Sequence, residues 1–118
     1  MFDDVTSVTL RSALDGYAAR QRTISDNIAN LQTPHFLAGK VSFEDALRNA
    51  VADGDASEAA AVTPTVGRSI EPTREDGNNV NLDEETLAST QTNLSYNLML
   101  RAMDDQFGLL KAAIGSGS

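Results

Sequence analysis

The chain has 118 residues, no cysteine and a formal net charge of −8 at pH 7. This length suits one domain with a modest core, and the lack of thiols excludes disulfides, cysteine nucleophiles and thiolate metal sites. The negative excess lies in residues 41–90, where eleven acidic residues accompany three basic ones. Because nucleic-acid binding needs a clustered basic face, we expect no nucleic-acid partner.

The N-terminus begins with Met1, Phe2, Asp3 and Asp4, which is acidic where a secretory signal is basic and then continuously apolar. We therefore expect neither a signal peptide nor a transmembrane span, and no direct membrane insertion.

An apolar repeat predicts a first helix over residues 1–33. Its members alternate in steps of four and three, the heptad spacing of a helix that packs on another helix. They are Leu10, Leu14, Tyr17, Gln21, Ile24, Ile28 and Leu31. Gly16 costs about 1 kcal/mol relative to alanine inside a helix, so it indicates either a close contact or a bend. The amides of Asn27 and Asn30 flank the seam, where hydrogen bonds could set the register between helices.

A Thr33-Pro34 step ends this helix, because the proline ring removes a backbone donor and disfavours helical geometry at the preceding residue. For residues 34–81 we predict a turn, a short extended segment entering a helical turn capped by Ser42, and a flexible acidic insert. His35 is interpreted as a turn residue, since one histidine supplies no histidine pair for a metal or a proton relay.

A polar run precedes the second helix and predicts a tight turn, in which Gly77 or Asn78 suits a left-handed backbone. Asn81 is the predicted cap of a helix over residues 82–114, and residues 115–118 form a frayed tail. Three acidic residues in the first turn oppose the positive end of the helix, which explains them without catalysis.

The second helix carries an apolar arc about 200° wide, at roughly 100° per residue. A two-helix seam needs a narrower stripe, so we expect further helices, from other chains, to pack on its second side. The arc residues predicted as assembly contacts are Leu94, Tyr96, Leu98, Met103, Phe107, Leu110 and Ile114. The predicted fold is mainly α, with the N- and C-terminal helices paired as an antiparallel hairpin or coiled coil.

Catalytic chemistry has no support in the residue pattern. There is one histidine, no cysteine and no plausible lysine base to assemble a nucleophile, and no Gly-rich phosphate loop. We predict no catalytic, cofactor-binding or metal site. Two interpretations of the helices remain open: a hairpin whose stripes form its own core, or an assembly subunit.

Residues 19–36 read ARQRTISDNIANLQTPHF and resemble the N-terminal signature of the flagellar axial proteins, the family of rod, hook and hook-filament junction subunits. Within it, residues 41–44, 76–85, 94–97 and 107–114 are similar to the proximal rod proteins, while residues 48–72 are unmatched. The family usually has Gly-Tyr after Thr-Pro, whereas this chain has His35-Phe36. His35 in place of glycine puts the turn type in question. Phe36 in place of tyrosine keeps the aromatic contact without the hydroxyl.

The resemblance implies a structural, non-enzymatic subunit of the proximal rod, exported from the cytoplasm through the flagellar type III apparatus without a cleaved signal. The implied partners are further copies of itself, other rod and basal-body proteins, the protein that joins the rod to the MS ring, and the export apparatus. Besides the arc residues, the predicted assembly residues are Leu14, Tyr17, Ile24, Asn27, Ile28, Asn30, Leu31, Thr33, Pro34, Phe36, Gly77, Asn78 and Val80. The alternatives are a sister rod protein or, outside the family, a small α-helical adaptor or secretion chaperone.

Overall fold

The structure, a computed structural model, describes residues 4–116, apart from the side chains of residues 107, 109, 110 and 113–116. Its elements are α1 (Val5–Ala29), β1 (Gly39–Ser42), α2 (Glu44–Asp53), α3 (Ala56–Ala60), β2 (Thr65–Arg68) and α4 (Leu82–Ser116). The mainly α prediction with paired terminal helices is confirmed, and the molecule is elongated, 67 × 25 × 15 Å. Residues 1–3 of the predicted first helix and residues 117–118 of the predicted tail lie outside the described residues.

α1 and α4 run antiparallel along the long axis. Near one end the Ser7 hydroxyl donates to Gln106 Oε1 at 3.0 Å, and nearer the other end Gln21 Nε2 donates to the Ser89 hydroxyl at 2.9 Å. Gln21, the polar member of the predicted seam, therefore makes a hydrogen bond between the two helices.

The two ends of α1 are set by side chains. The backbone N–H of Ser7 donates to the Asp4 carboxylate at 2.8 Å, which caps the first turn. The helix ends at Ala29, four residues before the predicted break, because Asn30 leaves helical geometry at φ −105° and ψ 20°. Its side-chain amide then donates back to the Asp26 carbonyl at 2.8 Å.

The middle of the chain holds more regular structure than the flexible insert we predicted. β1 and β2 form a two-stranded antiparallel sheet in which Val41 lies opposite Val66. α2 and α3 lie between the two strands in the chain, and we call the paired strands the hairpin. The prediction that Ser42 caps α2 is wrong: Phe43 precedes the helix and makes no side-chain capping bond. Ser42 is the last residue of β1, and its carbonyl accepts a hydrogen bond from the Thr65 hydroxyl at 3.4 Å.

The apolar core lies between α1 and the middle segment. Its buried members are Val8, Ala13, Val41, Phe43, Leu47, Ala50 and Ala59. A Cβ added at Gly16 would lie 2.5 Å from ring carbons of Phe43, so the glycine marks a close contact. Tyr17 packs edge-on against the same ring, with centroids 5.2 Å apart.

Candidate assembly site

Asn27 joins three elements through its side-chain amide. The amide oxygen accepts from the Gly39 N–H at 2.8 Å, while the amide nitrogen donates to the Gly39 carbonyl at 3.0 Å and to Glu85 Oε2 at 3.1 Å. Asn27 is 1% exposed, so these bonds are made out of water. They fix the position of β1 and of the start of α4 relative to α1.

Glu85 is the buried partner of that amide. Glu85 lies in the first turn of α4, as predicted for the helix-start acids, and it is also 2% exposed, with Lys40 Nζ 3.7 Å from its second oxygen. The Glu84 N–H donates to Asn81 Oδ1 at 3.2 Å, which confirms Asn81 as the cap of α4. Sequence reasoning missed Glu85 because its burial depends on α1 and β1, which are distant in sequence.

Asn78 holds the chain that leaves α1. Its amide nitrogen donates to the carbonyls of Asn30 and Thr33, both at 2.8 Å, and its amide oxygen accepts from the Val80 N–H at 2.7 Å. The side chain is completely buried. Asn78 therefore adds a hydrogen bond to two carbonyls at the end of α1 that also accept from the backbone N–H groups of Thr33 and Phe36.

Asn79 links the chain just before β1 to the chain just after β2. Its amide oxygen accepts from the Ala38 N–H at 2.7 Å, and its amide nitrogen donates to the carbonyls of Ser69 and Glu71 at 3.2 and 3.1 Å. Sequence reasoning did not single it out, since it used Asn79 only as part of a turn signal. We call Asn27, Asn78 and Asn79 the asparagine junction.

His35 adopts the left-handed conformation with φ 62°. Its N–H donates to the Asp76 carbonyl at 2.9 Å, and Gly77, the glycine of the predicted tight turn, has φ 82°. A Cβ at Gly77 would lie 2.5 Å from His35 Nδ1, so the glycine leaves room for the imidazole. The unusual His35 thus occupies a turn position that ordinarily favours glycine.

Arg20 binds Glu44 with two hydrogen bonds, at 2.8 and 2.6 Å, and also donates to the Val41 carbonyl at 2.8 Å. The hydrogen bond from Arg20 lowers the pKa of the Glu44 carboxyl, against the opposing effect of partial burial. This pair fastens the start of α2 and the edge of β1 to α1.

α4 packs on α1 through a face that is not its leucine face. Thr92 and Glu85 are buried against the rest of the chain, whereas three leucines remain more than half exposed. Leu87 is 60% exposed, Leu94 61% and Leu98 52%. At about 100° per residue these leucines fall within roughly 40° of one another, and we call them the leucine stripe.

The remaining predicted assembly residues are distributed unevenly. Tyr96 and Met103 are half-buried, and the side chains of Phe107, Leu110 and Ile114 lie outside the described residues. On α1 and the turns, the buried residues are Ile24, Asn27, Asn78 and Val80, the half-buried ones are Leu14, Tyr17, Asn30, Leu31, Phe36 and Gly77, and the exposed ones are Ile28, Thr33 and Pro34. The structure brings the asparagines together around the end of α1 and leaves the leucine stripe apart from them.

Two negative findings apply to the described part of the chain. Among residues 4–116, no helix is long and apolar enough to cross a membrane. In the same range, no group of three or more histidine or acidic side chains is arranged to hold a metal ion.

Comparison with known proteins gives the chain's relatives. No protein-family model matches it. It is 28% identical over 122 residues to the flagellar basal body rod protein FlgB of Bacillus subtilis (strain 168), covering 95% of each chain. It is 31% identical over 113 residues to FlgB of Borreliella burgdorferi, covering 80% of this chain and 84% of the relative. FlgB of Escherichia coli (strain K12) is 29% identical over 126 residues, with 92% and 91% covered.

The fold consists of two long terminal helices that pack together and a short strand-containing middle segment. This fold and these relatives define a structural protein of the bacterial flagellar basal body. The similarity to the Bacillus subtilis protein covers 95% of this chain and so extends across residues 48–72, which the residue pattern left unmatched, and the similarity covers most of each relative. The chain belongs to the family of flagellar basal body rod protein FlgB.

Proposed function

We propose that this protein is a subunit of the proximal rod that assembles with itself and with other rod proteins through its terminal helices. The rod formed in this way acts as the drive shaft for motility, and the subunit has no catalytic role. The observation that carries the proposal is the leucine stripe. Fully burying one leucine side chain contributes about 1.5–3 kcal/mol, so three exposed leucines on one face favour association.

The partners follow from membership in a rod-protein family. They are neighbouring rod subunits, the protein that connects the rod to the MS ring, and the export apparatus that delivers the chain without a cleaved signal. The names of the relatives support the rod location.

The predicted assembly residues divide into two roles in this proposal. Ile28, Leu94 and Leu98 contact neighbouring subunits directly, because their side chains are exposed in the single chain. Asn27 and Asn78 act indirectly, by holding α1, the hairpin and α4 in the arrangement that presents the stripe.

The test is the substitution Leu98→Asp. The variant gene is introduced as the only copy into a related motile bacterium from which the corresponding gene has been deleted. We expect loss of swimming and of rods in isolated basal bodies, because a carboxylate cannot be buried in an apolar contact at low cost. The purified variant should keep the helicity and thermal stability of the parent, since Leu98 is half exposed in the single chain.

Asn97→Asp is the matched control. It adds the same charge at a neighbouring exposed position that lies outside the stripe, and we expect normal rods and swimming. If Leu98→Asp assembles as well as Asn97→Asp, the leucine stripe is not an assembly surface. If deletion of the gene leaves rods intact, the protein is an adaptor or chaperone instead.

A further inference from the structure

The hairpin has one covered edge and one open edge. On β1, the N–H and the carbonyl of Gly39 both bond to the Asn27 side chain, so they turn away from β2. Side chains of α1 therefore cover the outer edge of β1. Among the described residues β2 pairs with β1 alone, and its own outer edge stays open.

The register identifies the backbone groups on the open edge. In an antiparallel ladder, residues that bond to the partner strand alternate with residues that point away from it. Gly39 points away from β2, so Arg68, its partner across the sheet, points away from β1. The same holds for Val41, whose carbonyl bonds to Arg20, and for its partner Val66. No hydrogen bond from the described part of the chain reaches the outward N–H and carbonyl groups of β2.

The open edge extends beyond the last residue of β2. The Ser69 N–H still bonds inward, to the Ala38 carbonyl at 2.8 Å. At Ile70 the backbone N–H and carbonyl have no partner within the described residues, and the side chain is 98% exposed. Val66 is 55% exposed, and Pro64 before it has no N–H to offer. We call Val66, Arg68 and Ile70 the β2 edge.

The chemistry of the β2 edge selects an extended partner. Free N–H and carbonyl groups along a strand are satisfied by another extended backbone, whereas the backbone groups of a helix already bond to each other. Cross-strand pairs then choose the side chains. Val66 and Ile70 favour apolar residues directly opposite, and Arg68 favours an acidic one.

Other charges near the edge do not replace Arg68 in this choice. Asp15, Arg22 and Asp26 line the open groove between β2 and α1, and Glu71 follows the edge in the chain. Directly opposite side chains in a sheet have Cβ atoms about 4.5–5.5 Å apart, so the residue facing Arg68 interacts with it most strongly. Within the described chain no carboxylate forms an ion pair with Arg68.

A second copy of this chain does not suit the β2 edge. Within the described residues, the open strand that a second copy could offer is its own β2 edge. Antiparallel pairing of two such edges over their full length places Arg68 opposite Arg68 of the second copy, and like charges directly opposite are destabilising. Arg68 thus discriminates against self-pairing, a common protection of exposed strand edges.

We propose that the β2 edge binds an extended segment of a different protein, which adds a third strand to the sheet. The segment carries an apolar, an acidic and a second apolar residue at alternate positions. This site belongs to the hairpin, so it is separate from the leucine stripe and goes beyond the proposed function.

Amide NMR of the full-length protein tests the pairing, with the synthetic peptide Thr-Val-Thr-Asp-Thr-Val-Thr as the probe. We expect the peptide to shift the amide signals of Val66, Arg68 and Ile70. A peptide with lysine in place of the aspartate should bind about two- to five-fold more weakly. Arg68→Glu should reverse this order. No shift at these amides, or the same order in Arg68→Glu, would overturn the inference.

Val66→Pro tests the backbone bond itself. It removes an outward N–H and leaves the ladder to β1 intact, so peptide binding should weaken about tenfold while the circular dichroism spectrum is kept. Val66→Thr is the matched control, because it keeps the N–H and the branched shape, and it should bind with little loss. Equal binding by the two variants would contradict strand addition. If Val66→Pro does not fold, the Arg68→Glu comparison decides, since it changes no backbone group.

Cross-linking in basal bodies tests the partner. A photoreactive amino acid replaces Ile70 in the motile bacterium described above, and the cross-linked peptide is mapped by mass spectrometry. We expect an extended segment of another protein, with an acidic residue between apolar residues at alternate positions. A cross-link to a second copy of this chain or to a helix, or normal rods without any cross-link, would refute the proposal.

Discussion

Replacing Asn27 by alanine tests whether the asparagine junction holds the helices and the hairpin together. The substitution removes three buried hydrogen bonds, two to the backbone of Gly39 and one to Glu85. It also leaves the Gly39 N–H and carbonyl facing a small cavity. Glu85 keeps Lys40 at 3.7 Å, which is longer than a good hydrogen bond.

The expected loss follows from these contacts. Each hydrogen bond contributes about 0.5–1.5 kcal/mol, and a buried donor or acceptor left without a partner costs about 1–3 kcal/mol. These effects overlap, so we expect the free energy of unfolding to fall by about 3–4 kcal/mol. Because a domain of this size is stable by only about 5–15 kcal/mol, Asn27→Ala should be among the most damaging single changes.

Urea unfolding followed by far-UV circular dichroism measures this loss, with Asn30→Ala as the matched control. Asn30 is three residues away on the same helix end, but its side-chain bonds to Asp26 and Thr33 are exposed. We expect the control to lose less than about 1 kcal/mol. Equal losses for the two variants would refute the idea that the buried junction sets the fold.

Three further substitutions test local features. His35→Gly should raise the free energy of unfolding by about 0.5–1 kcal/mol in urea unfolding, because glycine adopts φ 62° without steric cost; a loss of stability would show that the imidazole contact with Gly77 matters more. Gly16→Ala should destabilise by about 1–3 kcal/mol in thermal unfolding, since its Cβ meets the Phe43 ring, whereas Gly67→Ala, with open space around it, should change little. Glu44→Gln should cost under about 1 kcal/mol near neutral pH, because the pair is partly exposed. Arg20 lowers the folded pKa of Glu44, so the carboxylate's contribution is present above the unfolded value of about 4.3 and disappears as pH falls through the lower folded value; a pH-independent difference in urea unfolding would contradict this.

Local signals in the sequence predicted the parts of the fold that depend on near neighbours. Asn81 caps α4 because its side chain reaches a backbone N–H three residues later, and Gly77 adopts its left-handed turn for reasons contained in one residue. Heptad spacing predicted that α1 pairs with another helix. The spacing is a property of one helix face and needs no knowledge of the partner.

Long-range features could not be obtained in this way. β2 forms because Thr65–Arg68 pairs with a strand more than twenty residues earlier, and an isolated four-residue segment carries little signal. The apolar arc of α4 was recognised, but apolarity alone does not tell which side meets α1. The side that meets the rest of the chain contains Glu85 and Thr92, which are both buried. The burial of Glu85 depends on polar partners from α1 and β1, namely Asn27 and Lys40.

The asparagine junction has a further consequence for how the protein resists aggregation. The side of β1 that faces away from β2 offers the N–H and carbonyl of Gly39 and the carbonyl of Val41, which are the groups that pair with a foreign strand. Asn27 and Arg20 occupy them in the folded chain. Both side chains belong to α1, so melting this helix uncovers a strand edge, and conditions that unwind α1 should promote intermolecular β-pairing while the hairpin persists.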